Sequence, residues 1–268
     1  MAPMQEHQQT SQRPAFTVIA LWAETARMLQ RHAGDLLRVL VLPALLQLGL
    51  AWQVMRATGE GRQGLAWLLV AAAGLGIALF ATNCHRVVLG DGGPVRSLWG
   101  LRLDGRVLWY LAWSVFLVLA GTLAFVPVLV LGILVVPALF PGMDPEELAR
   151  LFEWLAWLPL ILIIHLLIRL SLVLPATALG RDTHPGESWH LTHGHGWRLT
   201  LGLCLPAVAV RLFEDVLGRL TEAVGSAPLT LVVALLATLA GAVTVVALSC
   251  AWRLLGPDDD PTPEAPLR

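Results

Sequence analysis

The sequence predicts an all-α membrane protein, a polytopic helix bundle of about six transmembrane helices preceded by an amphipathic interfacial helix. Three observations carry this prediction: composition, the spacing of long apolar runs, and the sidedness of the arginines. Of 268 residues, 56% are hydrophobic and 14% charged, with a mean hydropathy of +0.70. A soluble domain carries roughly 25% charged residues to wet its surface. Here too little charge is present for that, so most of the surface must face lipid. The net charge of −1 excludes the basic footprint of a nucleic-acid binder. Every basic residue other than histidine is arginine, which reads as compositional bias.

A span needs about 20 mainly apolar residues to cross hydrocarbon about 30 Å thick. The candidates are Leu36–Met55, Leu65–Thr82, Leu108 to about Leu131, Trp154–Leu174, Leu199–Phe213 and Leu229–Trp252. The third run continues from Val107 to Phe140, interrupted by Gly121, Pro127, Gly132 and Pro137. A straight helix of that length overshoots the hydrocarbon, so a proline kink or early stop is expected, with a re-entrant pair as the alternative. The fifth run is short, contains Pro206, and is followed by the amphipathic stretch "RLFEDVLGRLTEAV", which suits the membrane surface. Residues 16–255 form one membrane domain. Residues 1–15 and the acidic, proline-rich 256–268 read as disordered tails, and the former lacks the apolar core of a signal peptide.

Arginine placement orients the bundle. Arg13, Arg27, Arg31, Arg38, Arg86, Arg96, Arg102, Arg106, Arg181, Arg198 and Arg253 fall on one side. Arg56, Arg62, Arg150, Arg211 and Arg219 fall on the other, mixed with Asp144, Glu146, Glu147 and Glu214. The excess predicts that both termini are cytoplasmic. Tryptophans 52, 67, 109, 154, 197 and 252 lie near span ends, where an indole is half wet. Ahead of the first span, Val18, Ile19, Trp22, Ala26, Leu29 and Ala33 recur at helical spacing opposite Glu24, Arg27, Arg31 and Arg38. Such a helix lies on the membrane face or packs on the protein's own loops, and the pattern leaves both open.

The sequence contains no H-E-x-x-H, G-x-S-x-G, Walker A or G-x-G-x-x-G motif. Within the apolar runs acids occur only at span ends, which weighs against a membrane enzyme. Cys84, Cys204 and Cys250 are scattered in apolar runs and read as small hydrophobes. His184, His190, His193 and His195, with Glu187, offer a metal spacing, but Gly194 and Gly196 interrupt the helix that would rigidify it. Solvated linker histidines are the preferred reading. Arg169 and His165 lie one turn apart on a common helix face. An arginine in a span is costly and marks a polar or lipid site, unless its stem snorkels to the headgroups past the nearby Pro175. Asn83, His85 and Arg86 close the second span at similar depth and are candidates for the same polar layer. The recurring "VLPALL", "VLPATAL" and "CLPAVAV" hint at kinked helices but are too short to establish a duplication.

The stretch "IRLSLVLPATALGRDTHPGESWHLTHGHGWRLTLGL" resembles a signature of bacterial inner-membrane proteins related to the membrane domain of glycerophosphoryl diester phosphodiesterase. The resemblance rests on Arg169, Leu174, Pro175, Ser188, Trp189, Leu191, Thr192, Gly194, Trp197 and Arg198. "CHRVVLGDG" and "VVALSCAWRLL" are similar to other segments of that group, although only the linker match is specific. His193 and His195 depart from the pattern, often an arginine and an asparagine, and these 268 residues contain no counterpart of the catalytic barrel. The resemblance therefore implies a six-helix membrane domain of the bacterial inner membrane, not lipid hydrolysis.

The functional expectation is a non-enzymatic inner-membrane protein: a scaffold, an assembly factor or a lipid-associated subunit. A small transporter or channel with a polar site near Arg169 is the alternative, and an enzyme completed by a partner chain is a weaker third. Expected partners are membrane lipids, anionic headgroups among them, and a protein within the membrane. No catalytic residue, cofactor or metal is expected.

Overall fold

The computed structural model describes residues 16–90, 102–224 and 227–256. The expected tails at 1–15 and beyond 256, with Arg13 and Arg96, lie outside the described residues. Within these the chain is helical throughout: α1 (Val18–Arg31), α2 (Ala33–Gly59), α3 (Gln63–Leu89), α4 (Gly105–Leu139), α5 (Pro145–Leu170), α6 (Val173–Ala178), α7 (Pro185–Leu191), α8 (Gly196–Val224) and α9 (Ala227–Leu255). Six segments among the described residues are long and apolar enough to cross a membrane, Ala33–Leu50, Gln63–Leu89, Gly105–Leu139, Pro145–Ala178, Gly196–Phe213 and Leu235–Leu255. The protein is a multi-pass helical membrane bundle.

Two of these helices depart from the sequence expectation in instructive ways. α4 runs uninterrupted through Pro127 and Pro137 for 35 residues, about 52 Å, so neither the early stop nor the re-entrant pair occurs. Close packing accompanies its length, because a Cβ on Gly132 would strike the Phe152 ring and one on Gly121 would meet Leu167 Cδ1 at 2.7 Å. The fourth span, by contrast, breaks. Pro175 has no N–H to offer the carbonyl of Ser171 and its ring crowds that oxygen. The chain turns at Ser171–Leu172 and resumes as the buried α6. α8 continues as one helix through Pro206 and through the stretch expected on the membrane surface.

Burial is concentrated at one end of the bundle. In α3 all the buried residues but Ala66 lie between Gly76 and Val88, and in α9 the buried block is Val246–Trp252. Leu172, Val173 and Ala176 of the α5–α6 turn are fully enclosed, as is Leu199 at the start of α8. Hairpins α2–α3, α4–α5 and α8–α9 meet here around α6. Towards the opposite end they present leucine, isoleucine and valine outward, as in Leu123, Ile133, Leu134 and Leu158. An outward apolar surface of this kind suits hydrocarbon.

α1 packs on this closed end, against α8 and α9. Its inward stripe is Leu21, Thr25 and Met28, rotated from the stripe the apolar pattern suggests, whereas Ile19 is 82% exposed. Thr25 belongs inside because its hydroxyl donates to Leu21 O at 2.8 Å, leaving the methyl to pack. Gly202 of α8 makes room for Leu21, whose Cδ2 would lie 2.7 Å from an added Cβ. Glu24 pairs with Arg253 of α9 at 3.7 Å, and Arg198 of α8 donates to Phe16 O at 3.1 Å. Leu21→Ala should therefore lower unfolding stability in detergent by about 2–5 kcal/mol. Ile19→Ala should change it by less than about 0.5 kcal/mol. Equal losses, measured by thermal or denaturant unfolding, would show that α1 is not docked through this face.

Candidate functional site

Two polar clusters occupy the closed end, and the five candidate residues divide between them. The first lies on the last turns of α3. Asn83 brackets the segment entering α4: its Nδ2 donates to Arg102 O at 3.3 Å, and its Oδ1 accepts from Arg102 N at 2.9 Å. The Arg86 side chain, 4% exposed, donates through Nη2 to both oxygens of Asp104 at 2.9 and 2.8 Å. Its Nε donates to Ala178 O at 3.0 Å, a carbonyl at the end of α6 with no onward helical partner. Asp104 also caps α4, accepting from Arg106 N at 3.1 Å. One guanidinium thus joins α3, α4 and α6.

His85 is completely enclosed beside them. Its Nδ1 lies 2.7 Å from Ser249 Oγ on α9, and its Nε2 lies 3.3 Å from the Tyr110 hydroxyl on α4. Ser249 gives its own proton to Val245 O at 3.0 Å. The arrangement then assigns Nδ1–H as donor to Ser249 and Tyr110 as donor to Nε2. Although histidine, serine and tyrosine are the ingredients of acid–base chemistry, here each group is engaged in holding two helices together, and no solvent reaches the ring.

Arg169 and His165 form the second cluster, between α5, α7 and α8. Arg169 Nε donates to Thr192 Oγ1 at 3.0 Å, and Nη2 donates to Trp189 O at 2.9 Å. The guanidinium carbon lies 3.3 Å from the centre of the Trp189 ring, a cation–π contact. His165 stacks on Trp197 at 4.0 Å and 17°. Its Nδ1 meets Thr200 Oγ1 at 2.8 Å, and that hydroxyl donates to Gly196 O at 3.0 Å. Ser188 closes the group by donating to Arg169 O. Gly196 is the spacer that permits the contact, because a Cβ there would lie 2.9 Å from both Arg169 Cδ and His165 Cε1.

The shared helix face of Arg169 and His165 is therefore real, whereas Asn83, His85 and Arg86 belong to a separate cluster with different partners. Of the linker histidines, His190 and His193 point outward and His195 meets the Phe16 ring at 5.7 Å. Among the described residues no three His, Cys, Asp or Glu side chains converge on a metal position. The partners that sequence reading missed are Asp104, Tyr110, Thr192, Thr200 and Ser249. Asp104 had a signal, an aspartate just ahead of a long apolar run. Thr192 stood in the linker signature, whereas Tyr110, Thr200 and Ser249, inside or beside spans, had none. Compared with known proteins, the chain matches no family model, no curated protein and no solved structure.

Partial burial of Asp104 opposes its charge, but the Arg86 hydrogen bonds and charge, with the Arg106 and Val107 amides, outweigh it and hold the carboxyl below its usual value. A lowered folded pKa stabilises the fold above the unfolded value of about 3.9, and that stabilisation is lost as pH falls through the lowered value. With 42% of the Asp104 side chain exposed, screening reduces the contribution to about 1–2 kcal/mol. Asp104→Asn should show this loss at neutral pH and a shallower acid destabilisation than wild type below about pH 4. Identical pH–stability curves would remove the ion pair from the account.

Proposed function

We propose that the protein is a non-enzymatic, lipid-associated subunit of the bacterial inner membrane, with both termini cytoplasmic. The observation that carries the lipid association is the Arg169 platform. Its guanidinium is fixed by Thr192 and Trp189, while its Nη1 has no partner among the described residues. Trp189 and Trp197 beside it are 37% and 54% exposed, as suits tryptophans at headgroup level. A guanidinium held flat with one edge open is suited to a phosphate oxygen. The resemblance of residues 168–203 to the membrane domain of glycerophosphoryl diester phosphodiesterase supports an inner-membrane setting, as does the arginine asymmetry. Scaffold or assembly roles accord with polar clusters whose groups join helices to one another. The alternative of transport past Arg169 has less support, because Asn83, His85 and Arg86, which would extend a polar path, are bonded between helices.

The test compares wild type with Arg169→Leu in detergent, with and without phosphatidylglycerol. Wild type should gain more thermal stability from the anionic lipid than the variant does. An equal gain would reject Arg169 as the lipid contact.

Orientation is tested separately. Single cysteines at Gly186, Gly61 or Met143, in an otherwise cysteine-free chain, are treated with an impermeant thiol reagent on intact cells. Gly186 should be shielded, and Gly61 and Met143 labelled; labelling at Gly186 before lysis contradicts the arrangement.

A further inference from the structure

A concavity of about 630 Å³ lies between α2 and α8, with α9 and α3 behind it. Its floor is made of small residues on α9, including Ala240 and Gly241. At Gly241 an added Cβ would meet nothing within 4 Å, so this part of the floor faces open space. Along the walls two polar groups are turned to the protein. Gln47 donates to Ala73 O at 2.6 Å, and Thr244 donates to Ala240 O at 2.9 Å. A smaller concavity of about 230 Å³ shares Leu40, Phe80 and Ala242 with the first and continues towards the closed end, where Leu29 of α1 lines it. From Leu36 to Gln47 the combined groove follows α2 for about 16 Å. Arg211 lines the first concavity where the α8 sequence turns from apolar to charged.

We infer that this groove seats one acyl chain of a bilayer phospholipid, with the lipid phosphate at Arg211. The groove lies within membrane-spanning helices, so the medium at its opening is hydrocarbon. Where its polar groups bond within the protein, as Gln47 and Thr244 do, the concavity offers water few partners. A flexible chain fills it without unmet hydrogen bonds. Arg211 supplies the complementary charge at one end, since a guanidinium has five donors and can serve a protein partner and a phosphate together. This deepens the lipid-associated reading but concerns α2, α8 and α9, whereas the Arg169 platform is on α5, so the two can fail separately.

The experiment uses the full chain in phosphatidylethanolamine–phosphatidylglycerol vesicles doped with a phosphatidylethanolamine carrying a mid-chain diazirine. After photolysis, peptides are mapped by mass spectrometry. Wild type should label preferentially on the groove segments of α2 and α9, above the outward surface of α4 around Leu123 and Leu134. Gly241→Phe fills the groove from a position with room for a side chain, and should lower groove labelling about tenfold while leaving α4 labelling unchanged. Ala237→Leu, on the same face of α9, serves as a second filling variant should the first fold poorly. Groove labelling no higher than that of α4, or unchanged when either folded variant fills the space, overturns the inference. So does protection of the groove in a cross-linked dimer, which would make a second copy the occupant.

Discussion

Arg86 is the side chain around which the closed end is organised. A buried guanidinium without partners costs several kcal/mol, and inside a membrane protein no bulk water relieves that cost. The chain meets the requirement with two groups from different elements, the Asp104 carboxylate and the Ala178 carbonyl. Satisfying one arginine thereby fixes where α4 begins and where α6 ends. Asn83 adds a second constraint three residues earlier by holding the backbone of Arg102. His85 extends the same logic to α9 through Ser249. Because removing one member strands the others, these polar groups define a single arrangement of helices, which apolar packing alone does less sharply.

The contrast between the two ends follows from this distribution. Where hydrogen bonds tie the hairpins, small residues let the helices approach, as Gly202 does beneath Leu21 and Gly196 beside Arg169. Away from that end the outward residues are leucine, isoleucine and valine, for which lipid is as good a neighbour as another helix. No hydrophobic force there draws the hairpins together. The groove along α9 belongs to this second regime, and the Arg169 platform to the edge of the first.

Much of the fold was legible because it depends on local properties. Hydropathy over a window marks the spans, and a period of 3.6 places Arg169 and His165 on one face. Pro175 announced a break, although its position at Ser171 follows from the carbonyl four residues back. Pro127 sent the same signal without the same result, since α4 continues through it. On α1 the inward stripe runs through Thr25, which an apolar pattern does not mark, because its hydroxyl is satisfied within its own helix and its methyl packs inward.

By itself, then, the sequence determined a multi-pass helical protein, the six apolar runs long enough to cross a membrane among the described residues, and the helix face that Arg169 and His165 share. Each of these is fixed within a few turns of chain. The tertiary structure alone decided that Asn83, His85 and Arg86 serve a cluster apart from Arg169, that Ser249 answers His85 across 164 residues, and that α2 and α8 flank an open groove on α9. Those outcomes depend on which helix faces meet. Many rotations of an apolar helix look alike in sequence, and only the joint satisfaction of buried polar groups selects among them.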